Sequence, residues 1–435
     1  MRKKIVSFAL VAALAAACCV YFAIRSRPPA PSFEPFTHTI YVWQRSWTDD
    51  VVDGVHAAAA GCNGFSVLAA ETSFVDGDLD AIRVDPDWPA LAAAGLPVTL
   101  VLRADVSLSE LLAQDDGPRR AAEFLAVVAR AASAGATDAG ADVAGVQLDY
   151  DCPTARLAAY RALLEAFRAA VPGLDVSITA LPSWVRTRRF RQLVGGLSYF
   201  VLQVHSLEKP GSVDEPVELC PTDRIPTYLR RAARARTPYY LALPTYGYEM
   251  AFTADGAFLG LGAEGPRAEW PSGTVCKVVM AEPAAIANTV RTVSADPPPW
   301  LAGFAWFRLP VATDQLNWAW PTLEAVMAGR EPVVAFTADV RTPSPDLFEI
   351  WVANSGEYNV PGDIGLKVSW PGRSVAARDT VNGFREERGD GPDEARLIGA
   401  APPVGQPAVL AAWYRLAPDD DSEAAPLQAG NVEVL

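Results

Sequence analysis

The chain has little histidine, little methionine and little positive charge. Three histidines in 435 residues exclude metal centres built from clustered imidazoles. No glycine-rich phosphate loop follows the first strand-like run, no Ser-His-Asp order stands out and no repeat of solenoid period is present. Nucleotide-cradling folds, serine-triad hydrolases and solenoids are therefore excluded, and no cofactor is implied. Lysine and arginine number 37 against 51 acidic residues, a formal net charge of −14. Phosphate recognition needs a basic face, so a nucleic-acid partner is excluded and the expected ligand is neutral or cationic. What the chain does have is apolar mass. Half of it is hydrophobic (50%) and a fifth charged (20%), enough for a large barrel with an accessory domain.

Arg2, Lys3 and Lys4 precede an apolar run over 5–24. Basic-then-apolar order is that of an export signal or signal anchor, and a run this long can span a hydrocarbon core. Ala15, Ala16 and Ala17 before Cys18 resemble a lipoprotein cleavage box. Residues 1–26 are thus expected to be a signal peptide, a lipoprotein signal or an uncleaved membrane anchor, and 27–36 a proline-containing linker. The remainder is expected to be exported and membrane-tethered, facing the periplasm or the cell exterior. Export makes Cys62, Cys152, Cys220 and Cys276 disulfide candidates. Their spacing fits no zinc site. Cys220 and Cys276 fall in neighbouring loops on one barrel face and are expected to pair, whereas Cys62 belongs on the opposite face.

Eight strand-like runs begin near Thr39, Phe65, Val98, Val143, Val176, Tyr199, Tyr239 and Leu301. Ala- and Leu-rich helical stretches lie between them, among others at 118–134, 154–171, 223–236 and 283–293. Over residues 37–330 this is the pattern of an α/β (β/α)8 TIM barrel, with a doubly wound open sheet as the alternative. From 331 to 435 short alternating runs separated by Pro, Gly, Asn and Asp predict an all-β sandwich.

In such a barrel the reactive groups lie at the carboxyl ends of the strands. Alternation along the fourth strand sends Val146, Leu148 and Tyr150 to the helix layer and leaves Gln147, Asp149 and Asp151 facing inward. Two carboxylates aimed into one mouth are costly unless used, and their repulsion should raise the proton affinity of one of them. The same parity adds Glu71, Arg103, Gln203, His205 and Arg308. Trp43, Trp47, Trp184, Tyr246 and Trp306 fall near strand ends. Aromatic faces pack on sugar rings, and carboxylates, amides and guanidinium groups bond hydroxyls. The cluster reads as a site for a polysaccharide or oligosaccharide, with Asp151 and Asp149 as catalytic candidates. Each residue also has a structural reading: the aspartates pairing with Arg103, His205 bonded in the core, the tryptophans plugging the barrel.

The segment AGVQLDYDCP resembles the fourth-strand signature of family 18 glycoside hydrolases, the chitinase-like enzymes. The resemblance puts Asp151 on the catalytic acid, Asp149 on the aspartate that supports it, and Gln147 and Ala144 on two further aspartate positions. Trp306 is similar to that family's eighth-strand tryptophan, and the insertion at 247–276 falls where chitinases carry an extra lobe. LDYDCP, SITALPSW, LQVH, LPTYG and WFRLP together resemble a bacterial family, domain of unknown function 3142, over most of 38–330. That resemblance implies a TIM barrel of glycoside-hydrolase type. The function expected is a membrane-tethered glycoside hydrolase acting on envelope or extracellular polysaccharide; the alternatives are a non-catalytic glycan-binding barrel and an envelope scaffold.

Overall fold

A computed structural model of the chain describes residues 36–206, 209–263, 269–417 and 432–435. The export segment, Cys18, Cys19 and the acidic triplet at 419–421 lie outside these residues. From Thr37 onward, strands and helices alternate. β1 (Thr37–Val42) leads through α1 (Asp49–Ala59) into β2 (Gly64–Val75), which folds back as β3 (Asp78–Arg83). Asp76 and Gly77, both at positive φ, make that two-residue turn, the geometry an Asp-Gly pair adopts readily. α2 (Trp88–Ala94) begins where the Asp87 carboxylate accepts the Ala90 N–H at 2.9 Å and ends at Gly95, φ +67°, an acidic cap and a left-handed stop. β4 (Val98–Ala104), α3 (Leu108–Leu111), α4 (Gly117–Asp138), β5 (Val143–Tyr150), α5 (Leu157–Ala170), β6 (Asp175–Ala180), α6 (Arg188–Val194) and β7 (Tyr199–Gln203) follow. Then come α7 (Ile225–Ala232), β8 (Tyr239–Pro244), three inserted strands β9 (Gly247–Phe252), β10 (Phe258–Gly262) and β11 (Val275–Met280), α8 (Pro283–Ala295), β12 (Leu301–Phe307) and α9 (Trp320–Met327).

β1 pairs with both β12 and β2, closing eight parallel strands in the order β1-β12-β8-β7-β6-β5-β4-β2, with β3 antiparallel beside β2. The helices sit outside because they carry one apolar stripe. α5 buries Leu157, Tyr160, Leu163, Leu164 and Phe167, and Tyr160 meets Tyr150 of β5 edge-on at 5.3 Å. Each such buried side chain contributes roughly 2 kcal/mol. Inside, a layer of Tyr41, Trp43, Leu68, Val101, Val201, Ala242 and Ala305 fills the waist of the barrel. Below the waist is a cavity of about 190 Å³ lined by Thr37, Thr39, Ser66, Thr99, Tyr199 and Tyr240 among others. Its hydroxyls bond one another: Thr37 Oγ1 to Tyr240 at 3.4 Å, Thr99 to Tyr199 at 3.3 Å.

The inserted strands form a separate antiparallel sheet, β10-β9-β11, a flap on the same end of the barrel as the strand carboxyl termini. Here one expectation fails: Cys220 and Cys276 are both free. Lys277 points toward the 210s loop, where its ammonium donates to the carbonyls of Val213 (3.3 Å) and Glu215 (3.2 Å). Neighbours on a strand face opposite ways, so Cys276 is exposed on the far side of the flap while Cys220 is buried.

Beyond α9 the structure is all β. β13 (Phe336–Ser344), β14 (Leu347–Asn354), β15 (Asp363–Ser369), β16 (Val375–Thr380), β17 (Arg385–Arg388), β18 (Glu394–Ala400), β19 (Val409–Leu416) and β20 (Val432–Val434) make two four-stranded antiparallel sheets, β13-β14-β19-β16 and β17-β18-β15-β20. Alternate residues Phe348, Ile350 and Val352 of β14 meet Leu366, Val368, Leu397 and Tyr414 in the sandwich core. Glu357, after β14, chelates Arg330 at 2.6 and 2.7 Å, and its carbonyl accepts the Thr322 hydroxyl of α9. This joins the sandwich to the last barrel helix.

Candidate active site

Above the waist the barrel opens into a cleft of about 480 Å³ at the carboxyl ends of the strands. Tyr41, Trp43, Val201, Ala242 and Phe307 form its floor; Asp149, Asp151, Thr179 and Gln203 form one wall. His205, Tyr246, Tyr248 and Arg308, with Leu261 and Ala263 from the flap, form another, and Arg45 and Arg103 close the rim. From the parity count Arg103, Asp149, Asp151, Gln203, His205 and Arg308 line the cleft, and from the aromatics near strand ends Trp43 and Tyr246 do.

The two aspartates differ in surroundings. Asp149, on β5, is half-buried and accepts a hydrogen bond from Thr179 Oγ1 at 2.6 Å. Burial pushes its carboxyl up to about 6, with the charge of Asp151 adding to the rise and the Thr179 bond and Arg103 opposing it. Asp151 lies just past the strand end, open to solvent at the rim. Its proton affinity is also raised, by loss of hydration within the cleft wall, against the pull of Arg103. A third carboxylate behaves oppositely. Glu71 binds Arg45 through both oxygens (2.7 and 2.8 Å) and Arg103 Nη1 at 2.9 Å. Those bonds, Arg45's first, hold it below the usual carboxylate range. Glu71 is therefore a fixed anion that orients two guanidinium groups at the rim; it stands behind them rather than on the cleft surface.

His205 is buried, with Nδ1 3.4 Å from the Tyr246 hydroxyl, which in turn lies 3.0 Å from that of Tyr248. Burial pushes its imidazole down to about 3, so it is neutral at physiological pH. Arg308 is buried as well, ion-paired with Asp314, bonded to the Ala263 carbonyl at 2.9 Å and stacked 5.6 Å from the Tyr246 ring centre. It braces the flap against the cleft.

Besides Glu71 and Trp47, three expected ligand contacts are corrected. Gln147 is inward but fully buried beneath Asp149, accepting from the Tyr41 hydroxyl at 2.5 Å and donating to Ser177 at 3.3 Å. It positions Tyr41 and does not reach the cleft. Trp184 is buried against Tyr160 and donates to the Cys152 carbonyl at 3.1 Å, bracing the turn that follows Asp151. Trp306 stacks on His38 and donates to its Nδ1 at 2.9 Å. It shares the parity of Phe304, on the outside of the barrel wall, while Ala305 and Phe307 point inward. Glu249, the other carboxylate near the mouth, belongs to the flap, where it accepts from Trp270 Nε1 at 3.3 Å. Trp47 is half-buried and is not part of the lining. The sequence reading missed Tyr41, Arg45, Thr179, Tyr248, Leu261, Ala263 and Phe307.

The chain folds as a closed (β/α)8 barrel with two acids at the carboxyl end of its β5 strand, and comparison with solved structures finds the same barrel fold. The spore cortex-lytic enzyme SleL of Bacillus megaterium QM B1551 is similar at a TM-score of 0.51 and 14% identity, over 70% of this chain and 76% of that one. A chitinase from Chromobacterium violaceum ATCC 12472 is similar at a TM-score of 0.43 and 14% identity, over 68% of this chain and 98% of that one. No curated protein matches the chain. The chain belongs to the family described as Domain of unknown function (DUF3142), whose model matches residues 94–312.

Proposed function

We propose that the protein is an exported, membrane-tethered glycoside hydrolase acting on an envelope or extracellular polysaccharide by carboxylate acid catalysis. Asp151 at the rim donates a proton to the leaving glycosidic oxygen, and Asp149 below it is its electrostatic partner. The observation that carries this reading is the split among the cleft's acids. Burial holds Asp149 at about 6 and Asp151 is raised, while Glu71, behind the rim, is held ionised by its arginines. A general acid needs a proton affinity near the working pH, and only the aspartates have been moved that way.

Two further carboxylates near the mouth already have partners. Glu71 is committed to Arg45 and Arg103, and Glu249 to the flap. Where the substrate carries an N-acetyl group, that group supplies the attacking oxygen, the route that likeness to family 18 implies; otherwise a second carboxylate serves. The neutral floor of Tyr41, Trp43 and Phe307 suits a sugar ring. A non-catalytic glycan-binding barrel is the second reading, favoured by Gln147 and Ala144 standing at two positions where the family 18 signature has aspartates.

Asp151→Asn keeps size and removes the donated proton. Against a panel of bacterial exopolysaccharides and peptidoglycan fragments, turnover should fall at least about a hundredfold with affinity retained. Unchanged turnover would remove Asp151 from the acid role. Binding without turnover by the unmodified protein would favour the glycan-binding barrel. Tethering is tested by fractionation: the full chain should sediment with membranes and residues 37–435 should not.

A further inference from the structure

The outer face of the sheet β13-β14-β19-β16 carries two tryptophans that the barrel chemistry does not use. Along β14 the even-numbered residues enter the sandwich core, while Glu349 and Trp351 face outward, half-buried. The strand register sets Glu349 opposite both Arg341 and Trp413, and Trp413 opposite Asp379. Paired residues share a face, so one row across four strands reads Arg341, Glu349, Trp413, Asp379. The next row holds Asp339, Trp351 and Leu410, which makes the two indoles diagonal neighbours. The surroundings are exposed: Asp339, Arg341, Asp379 and Arg415 all lie open to solvent.

This face is already ordered. Trp351 Nε1 donates to Glu349 Oε2 at 2.9 Å, and the Arg341 guanidinium sits 4.0 Å above the Trp351 ring centre. Trp413 is half-buried, and among the described residues no aromatic ring or cation stacks on its indole, so this ring is the platform left for a ligand.

The charge pattern selects the occupant. The centres of protein–protein interfaces are depleted in charge, whereas these indoles are bordered by three carboxylates and two arginines. The acidic surplus of the chain opposes a phosphate polymer or an anionic membrane. A sugar ring presents an apolar C–H face for an indole and, at its edge, hydroxyls that carboxylates and guanidinium groups bind. We propose that this face is a second glycan site, separate from the barrel cleft. Trp413 is the stacking platform for a neutral polysaccharide strand, and Glu349 and Asp379 accept hydrogen bonds from its hydroxyls.

The test is co-sedimentation of the full chain with three insoluble polymers, namely cellulose, chitin and peptidoglycan sacculi, beside turnover on a short soluble oligosaccharide. Trp413→Ala should weaken retention on at least one polymer about tenfold and leave the oligosaccharide rate unchanged. Trp413→Phe, which keeps a ring, should recover most of the retention, and matching thermal melts would show both variants folded. Undiminished retention of Trp413→Ala overturns the proposal, as does failure of all three polymers to retain the unmodified chain. Retention lost in Asp151→Asn but kept in Trp413→Ala would assign glycan binding to the cleft and also overturn it.

Discussion

The barrel interior is polar at both ends, and the two ends differ in kind. At the lower end Thr37, Thr99, Tyr199 and Tyr240 pair hydroxyl with hydroxyl around a cavity of about 190 Å³. At the upper end Asp149 and Asp151 face Arg45, Arg103 and a neutral His205 across a cleft of about 480 Å³. Between them lies the apolar waist, with Val201 touching both spaces. Neutral hydroxyls satisfy one another at little cost, so the lower end is a structural solution to a polar lining. The upper end contains acids whose surroundings push their proton affinities in opposite directions. That inequality, rather than polarity, marks where reactivity is expected.

The largest effect that would test this contrast is on stability. Folded Asp149 keeps its proton up to about pH 6, against 3.8 ordinarily. In that window the folded chain holds a proton the unfolded chain has released, so stability falls as pH rises and stays lower above it. Asp149→Asn keeps an acceptor for Thr179 and should gain on the order of 2 kcal/mol at pH 7 after allowing for partial solvent contact. Its urea-derived stability should also lose the decline between pH 4 and 6. An unchanged slope would mean that the carboxyl is not held unfavourably and would erase the contrast.

A smaller effect is expected at Arg103, whose charge lowers the proton affinity of both aspartates. Arg103→Met removes that charge. If the chain is a hydrolase, the limb of the kcat/KM profile set by the aspartates should move up by about half a pH unit. A downward shift would contradict the electrostatic assignment. The smallest effect belongs to the lower end. Thr99→Val breaks the bond to Tyr199, and a lost neutral hydrogen bond costs about 1 kcal/mol. Chemical denaturation should register it, whereas the pH profile should stay where it was. A moved profile would show the two ends to be coupled through the waist.

Much of this was legible because a strand alternates strictly. Counting along β5 separates Asp149 and Asp151 from Tyr150, and the same count delivers Arg103, Gln203 and His205 to the mouth. Extended to the first strand, it would also have found Tyr41 and Arg45, which share the parity of Trp43. Trp306 was misplaced because nearness to a strand end and likeness to a family 18 tryptophan say nothing of the face it takes. Alternation with the inward-facing Ala305 and Phe307 binds Trp306 to the outer wall. Gln147 was given the right face but the wrong depth, since parity says nothing of height in the barrel. Tyr248, Leu261 and Ala263 come from the flap, and their arrival at the cleft depends on how an inserted sheet folds back. The Cys220–Cys276 pairing failed for a similar reason: loop proximity was read correctly, but the face of β11 on which Cys276 lies was not.

That flap also has a neck. Gly247 pairs with Met280, so the chain leaves the barrel and re-enters it at adjacent points. A Cβ at 247 would lie 2.3 Å from Met280 Sδ and 2.4 Å from the Val279 carbonyl oxygen, so glycine is what lets the two backbones close. With its ends held together, the length between them is nearly invisible to the barrel, because loop-closure entropy grows only slowly with added residues. The flap is in effect an exchangeable cassette. Its length and lining can be altered, and with them which chains enter the cleft, without disturbing the strands that carry the acids.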